Sequence, residues 1–178
     1  MFPDANNKSL ELSDRDPYEY ARAVRVFPEG TEATIGFKLY AKQNDSGRLE
    51  IEVLDRFGNR PVRLMLTDGG FLQAVNGNTA EAVSRYAPHR WYDVRIEANT
   101  KLERYSISID GKPSIKDARF AESVLSLERI SFRTGAYRPN PSRTTDPEKI
   151  LNDVPHPDDP NPEAVFYIDD VAANARRP

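Results

Sequence analysis

A hydrophobic period of two, repeated along almost the whole chain, is the feature that most constrains its fold. Leu10 and Leu12 alternate with polar neighbours, and so do Val24 and Val26. Ile35, Phe37 and Leu39 form a third set, with Lys38 and Tyr40 pointing the other way. Leu49, Ile51 and Val53 alternate with Glu50 and Glu52, then Val62, Leu64 and Leu66 with Arg63. Further on, Tyr92, Val94 and Ile96 alternate with Asp93, Arg95 and Glu97, and Tyr105, Ile107 and Ile109 with Arg104, Ser106 and Ser108. Ile130 and Phe132 stand against Ser131 and Arg133, and a last run covers Val165 to Val171. Side chains two apart in an extended chain share a face, so this pattern predicts half-buried antiparallel strands. Turn chemistry separates the runs: Asn44-Asp45-Ser46-Gly47, Phe57-Gly58-Asn59, Asp68-Gly69-Gly70 and Asp110-Gly111. Spacings of roughly 10 to 15 residues fit an all-β sandwich of two antiparallel sheets. Helix is expected only as a turn or two within Ala118 to Leu127.

With 178 residues, 38% hydrophobic and 30% charged, the chain reads as one domain, residues 1–178, with a single core. The absence of cysteine excludes disulfides, thiolate metal sites and a cysteine nucleophile. No apolar run approaches the ~18 residues of a membrane helix. A net charge of −3 argues against nucleic acid and anionic membrane as partners. No secretory h-region precedes Lys8, so an exported protein would carry its signal upstream of this stretch. Residues 139–162 differ in kind, holding 7 of the 14 prolines and five acids in a long loop. That loop is expected either to stiffen the surface or to wall a binding site.

Catalytic constellations are scarce. There is no phosphate loop and no Gly-x-Ser-x-Gly elbow. His89 and His156 stand outside any metal-ligand spacing. Glu50 and Glu52 share one strand face about 7 Å apart but lack the third acid of a glycosidase strand, and are expected to be solvated. Asp14 and Asp16 follow the first strand while Asp169 and Asp170 lie in the last. If the termini lie side by side, these four could converge on a structural calcium ion; otherwise they cap turns and face water. Trp91, the only tryptophan, would stack on a sugar if exposed, but its place at a strand start is expected to put it in the core. Arg133, Tyr137 and Arg138 emerge around Gly135 where a strand gives way to the proline loop. Two guanidiniums and a phenol there could clamp a carboxylate or sulfate, with Arg63 and Lys38 adding to the patch. Equally, the arginines could be struts for the loop's own acids.

Arg90-Trp-Tyr-Asp-Val-Arg-Ile-Glu97, Tyr105-Ser-Ile-Ser-Ile-Asp-Gly-Lys112 and Val165-Phe-Tyr-Ile-Asp-Asp-Val171 together resemble the rhythm of a concanavalin A-like (laminin G-like) jelly roll. Leu10-Glu-Leu-Ser-Asp-Arg-Asp-Pro-Tyr-Glu-Tyr-Ala-Arg-Ala23 is similar to C-terminal accessory domains of sialidase-like propeller proteins. The resemblance implies a jelly-roll sandwich of exported origin (secreted, periplasmic or cell-surface). It also implies an accessory, non-catalytic domain that binds a polysaccharide or oligosaccharide, acidic sugars included. Such a domain would be associated with a polysaccharide-degrading catalytic domain in the same native chain. Phe132-Arg-Thr-Gly-Ala-Tyr137-Arg-Pro139 also partly resembles a strand of jelly-roll alginate lyases. The lyases' Gln-x-His and Arg-rich strands have no counterpart here, so a lyase or hydrolase is the second reading. A spacer docked on a catalytic neighbour is the third.

Overall fold

The computed structural model describes residues 8–15, 20–135 and 163–176. Twelve strands build it: β1 (Leu10–Asp14), β2 (Arg22–Gly30), β3 (Glu32–Ala41), β4 (Leu49–Leu54), β5 (Val62–Leu66), β6 (Phe71–Asn76), β7 (Thr79–Arg85), β8 (Trp91–Asn99), β9 (Arg104–Ile109), β10 (Lys112–Arg119), β11 (Leu127–Thr134) and β12 (Ala164–Arg176). They form two six-stranded sheets, ordered β1-β12-β3-β8-β9-β10 and β2-β11-β4-β5-β6-β7, with antiparallel pairing throughout. This is the two-sheet antiparallel jelly-roll sandwich that the alternation predicts.

The alternating apolar residues face each other between the sheets. Ile35, Phe37 and Leu39 of β3 and Val94 and Ile96 of β8 meet Leu49, Ile51 and Val53 of β4 and Ile130 and Phe132 of β11, all essentially inaccessible to water. Phe37 and Phe132 join the sheets edge to face, with ring centroids 5.1 Å apart. Two buried tyrosines add polar ties. The Tyr105 hydroxyl crosses from β9 to the Val75 carbonyl of β6, and the Tyr86 hydroxyl donates to the Thr67 carbonyl at 2.9 Å. At the β9–β10 turn, Asp110 and Gly111 both take the left-handed conformation (φ 51° and 72°) that a two-residue hairpin demands.

Two local expectations change, and the β6–β7 pair stands where the alternation marks no strand. Residues 118–127 hold no helix: Ala118, at 1% exposure, pairs with Tyr105 as the end of β10, and an irregular link leads to Leu127. A six-residue strand, β6, pairs with β7 where the alternation is weak, with Leu72 and Ala74 alone turned fully inward. Val24 and Val26 face outward at 45% and 66% exposure, because the register sets Ala23 opposite Phe132 and Val24 opposite Ser131.

Burial pushes the Tyr86 hydroxyl up to about 12, with nearby Asp68 and Asp45 adding to the shift, against an ordinary value near 10. A raised folded-state value means that the contribution is complete below pH 10 and is lost as the pH rises toward 12. Roughly 3 kcal/mol should disappear across that window. Urea unfolding of Tyr86→Phe beside the wild type should show a shallower alkaline decline in the variant. Superimposable declines would contradict the burial of this hydroxyl.

Candidate functional site

In β3, β8 and β12 the residues out of phase with the core lie on the outer face of the first sheet. Register sets Tyr167 opposite Tyr40, and Tyr40 opposite Trp91, so three rings form a row across three adjacent strands. Tyr40 lies 5.3 Å from Trp91 and 5.8 Å from Tyr167 by ring centroid. Trp91 and Tyr167 are half-buried, while Tyr40 between them is 7% exposed. Trp91 is therefore not a core residue. It has the phase of Asp93, Arg95 and Glu97, and its exposed surface belongs to a platform.

The rim of the platform is polar. The Lys42 ammonium sits 5.5 Å from the Tyr167 ring centroid, and the Tyr167 hydroxyl beside it holds this ammonium above its usual range. A hydrogen bond with Glu11, Tyr167's register partner in β1, is the main cause that raises the Tyr167 phenol. His89 is exposed with a left-handed backbone (φ 60°), fixed by donation from its N–H to the Ala41 carbonyl at 2.8 Å. Its Nδ1 lies 3.2 Å from the Tyr40 hydroxyl, which brings the imidazole over one side of the row. Strained backbone of this kind persists where surrounding contacts over-determine it.

One register step along, Asp169, Lys38 and Asp93 form a charged row. A bulge between Asp169 and Ala172 turns Asp170 left-handed (φ 50°) and brings its carboxylate onto the Lys38 ammonium. Asp170 is the main cause of the raised Lys38 value. Lys38 thus belongs beside the aromatic row, on the opposite side of the sandwich from Arg133 and Arg63. The patch that would unite all three does not form, because β3 enters the first sheet and β5 and β11 the second.

Of the terminal acids, Asp14 and Asp169 are described and lie well apart. Asp14 pairs with Ala164, and Asp169 lies five residues further along β12, roughly 17 Å away at ~3.4 Å per residue. Among the described residues no three histidine, aspartate or glutamate side chains group as a metal-ligand set. Asp16, Tyr137, Arg138, His156 and the proline segment 139–162 lie outside the described residues.

The outer face of the second sheet has a different character. Glu50 and Glu52 are not solvated: they are 6% and 2% exposed, and Arg133 is 2% exposed. Arg60 and Arg133 reach Glu52 Oε1 at 3.1 and 3.5 Å, and Arg48 approaches Glu50 at 3.8 Å. Arg133 also donates to the Gly135 carbonyl at 2.8 Å and lies over the Tyr20 ring at 5.5 Å. Arg63 stands opposite Glu52 in register, half-buried. Arg133 is thus engaged with Glu52 of its own sheet, while the loop acids that the strut reading would pair with it lie outside the described residues.

Burial is the main cause that raises the Glu50 carboxyl; the charge of Glu52 adds to it, while Arg133, Arg48 and Arg60 oppose it. For a raised carboxyl the favourable contribution is present below the ordinary carboxylate range and lost as pH rises through the folded value. Glu50→Gln is therefore expected to raise stability at pH 7, with the gain shrinking toward acid. Glu52→Gln, which removes the charge facing two arginines, should instead cost about 3 kcal/mol or more. Urea titrations of both variants at pH 4 and pH 7 check the pair. Equal losses at both pH values would contradict the assignment.

A family model described as "Sialidase-like, CBM domain" matches residues 3–149. Among solved structures, a sialidase aligns with a TM-score of 0.83 and 31% identity over 94% of this chain and 15% of its own. Botulinum neurotoxin type C, whose cell entry depends on interaction with two ganglioside molecules, aligns at TM-score 0.60 and 13% identity, over 100% of this chain and 41% of that one. Alginate lyase Aly36B aligns at 0.59 and 13%, over 95% and 81%. The last two likenesses are of fold alone. No curated protein sequence matches, and the chain spans 15% of the length of the sialidase that it matches. The model covers well over half of the residues, and the chain accordingly belongs to the sialidase-like CBM (carbohydrate-binding module) domain family.

Proposed function

We propose that the outer face of the first sheet is the glycan-binding surface, with Trp91, Tyr40 and Tyr167 as its stacking platform. The observation that carries this reading is the single register row of three rings, centroids 5.3 and 5.8 Å apart, in strand positions that solvent-facing polar residues would otherwise occupy. A pyranose presents an apolar C–H face that packs on an aromatic ring, while its hydroxyls need donors and acceptors at the rim. Lys42, His89, Lys38 and Asp93 supply them. Lys42 makes no ion pair with a carboxylate among the described residues and sits at the Tyr167 end of the row, where a sugar carboxylate or sulfate would meet it. An acidic glycan is therefore the proposed ligand class.

In the native protein the domain would keep a glycan-cleaving catalytic domain close to its substrate, outside the cytoplasm. The match to 15% of a sialidase supports that role. Tethering would raise the effective concentration of the catalytic domain at the glycan without any chemistry from this chain.

Affinity electrophoresis against polysialate, polygalacturonate, alginate and a neutral glucan tests the reading. Trp91→Ala should weaken retention at least about tenfold, equivalent to ~1.4 kcal/mol. Its stability should fall by no more than about 1 kcal/mol, the scale of one cross-strand pair. Lys42→Ala should remove most of the salt dependence on acidic glycans. Unchanged retention by Trp91→Ala, or no retention of any glycan by the wild type, would overturn the proposal.

A further inference from the structure

Beyond the aromatic row, the same face continues for three register steps. The first holds Lys38 and Asp93. Next come Ala172, Gly36, Arg95 and Ser108, and after them Asn174, Thr34, Glu97 and Ser106. From Tyr40 to Thr34 is six residues of β3, roughly 20 Å. That far end is not flat. Two depressions of about 250 and 340 Å³ lie there, sharing Glu97, Ser106 and Asp117 as lining. A bulge in β10 between Ile115 and Ala118 forms one wall, where Asp117 is left-handed (φ 52°) and its N–H donates to the Ser106 hydroxyl at 3.1 Å. Arg95 lays two donors on Glu97, both at 3.0 Å, holding a carboxylate and a guanidinium at the opening.

Between platform and depressions lies Gly36, and nothing in the fold accounts for a glycine there. Its φ is not in the left-handed region, and a Cβ built on it would meet no atom within 4 Å. Glycine in the interior of a strand costs roughly 0.5 to 1 kcal/mol relative to a residue with a side chain. At most other positions such a cost is offset by a turn or a close approach of backbone. Here the empty volume opens outward, over the floor that connects the rings to the depressions.

Resting on the proposed glycan-binding reading, we infer that the site is an extended cleft along β3 that takes an oligosaccharide segment several sugars long. One acidic sugar stacks on Trp91 and Tyr167, with Tyr40 packed between them, the chain crosses over Gly36, and a distal neutral sugar lies against Glu97, Ser106 and Asp117, whose carboxylates accept from its hydroxyls. The lining suits a sugar: Glu97, Ser106, Asp117 and Arg95 offer carboxylate, hydroxyl and guanidinium groups to its hydroxyls, while Ile107, Pro113 and Ile115 offer an apolar side to its C–H face.

The test uses size-graded neutral oligosaccharides capped at one end by a single sialic acid, from disaccharide to hexasaccharide, with binding read by fluorescence of the single tryptophan and by calorimetry. For the wild type, affinity should climb at least about tenfold from disaccharide to hexasaccharide. Gly36→Leu should leave the disaccharide unaffected and cut the hexasaccharide to within about threefold of it, with Gly36→Ala intermediate. The open space at Gly36 predicts melting temperatures for both variants at or above that of the wild type. Length-independent binding, or a hexasaccharide indifferent to Gly36→Leu while Trp91→Ala abolishes it, would overturn the cleft and leave the platform standing. Binding indifferent to Trp91→Ala would remove the platform and the cleft together.

Discussion

Each strand of this sandwich has one face that must leave water, and that requirement dictates where every other side chain goes. Phe37 cannot meet Phe132 across the interface at 5.1 Å without turning Lys38 and Tyr40 outward. Val94 and Ile96 cannot enter the core without sending Trp91, Asp93 and Arg95 to the opposite face. Burial of an aromatic or branched side chain is worth about 1.5 to 3 kcal/mol, against at most about 1 kcal/mol for a cross-strand pair on the outside. The inner face therefore sets the register, and the outer face is what remains available for function.

The two outer faces use that freedom differently. On the second sheet, charges are buried against one another: Glu52 is held by Arg60 and Arg133, and Glu50 is penalised by desolvation. Such networks specify geometry more than they add stability, because the cost of removing charge from water offsets most of the attraction. The first sheet instead keeps Trp91 and Tyr167 half-buried and Lys42 at the rim, so less desolvation remains to oppose a ligand. A preorganised row of this sort loses little entropy on binding, since Tyr167 already packs edge to face on Tyr40 and Trp91 lies tilted against it.

Local sequence carried most of the fold and part of the site. Alternation assigned Ile35, Ile51, Val94, Ile107 and Ile130 to the core, where they lie. The same alternation held the clue to Trp91: it has the phase of Asp93 and Glu97, yet its size argued for burial. Tyr40 was legible as outward-facing, but its partnership with Trp91 and Tyr167 is a matter of register between strands distant in sequence. Lys38 and Arg133 looked like neighbours for the same reason in reverse, since the phase of a residue says nothing about which sheet its strand joins. Val24 and Val26 misled because an edge strand can leave branched residues in solvent when Ala23 and Phe27 fill the inward positions. At Glu50 and Glu52 the charge pattern suggests solvent, while both are buried and Glu52 meets Arg133 from β11 and Arg60 from the loop after β4, partners that local sequence does not reveal.

On the proposed reading, ligand meets the first sheet and not the second. Backbone amide and tryptophan-indole chemical shifts, followed by NMR during titration with an acidic oligosaccharide, test it directly. Shifts concentrated at Lys38, Tyr40, Lys42, His89, Trp91 and Tyr167, with Glu50, Glu52, Arg63 and Arg133 unmoved, are the predicted result. Shifts concentrated around Arg133 and Glu50, with the Trp91 indole unchanged, would contradict it.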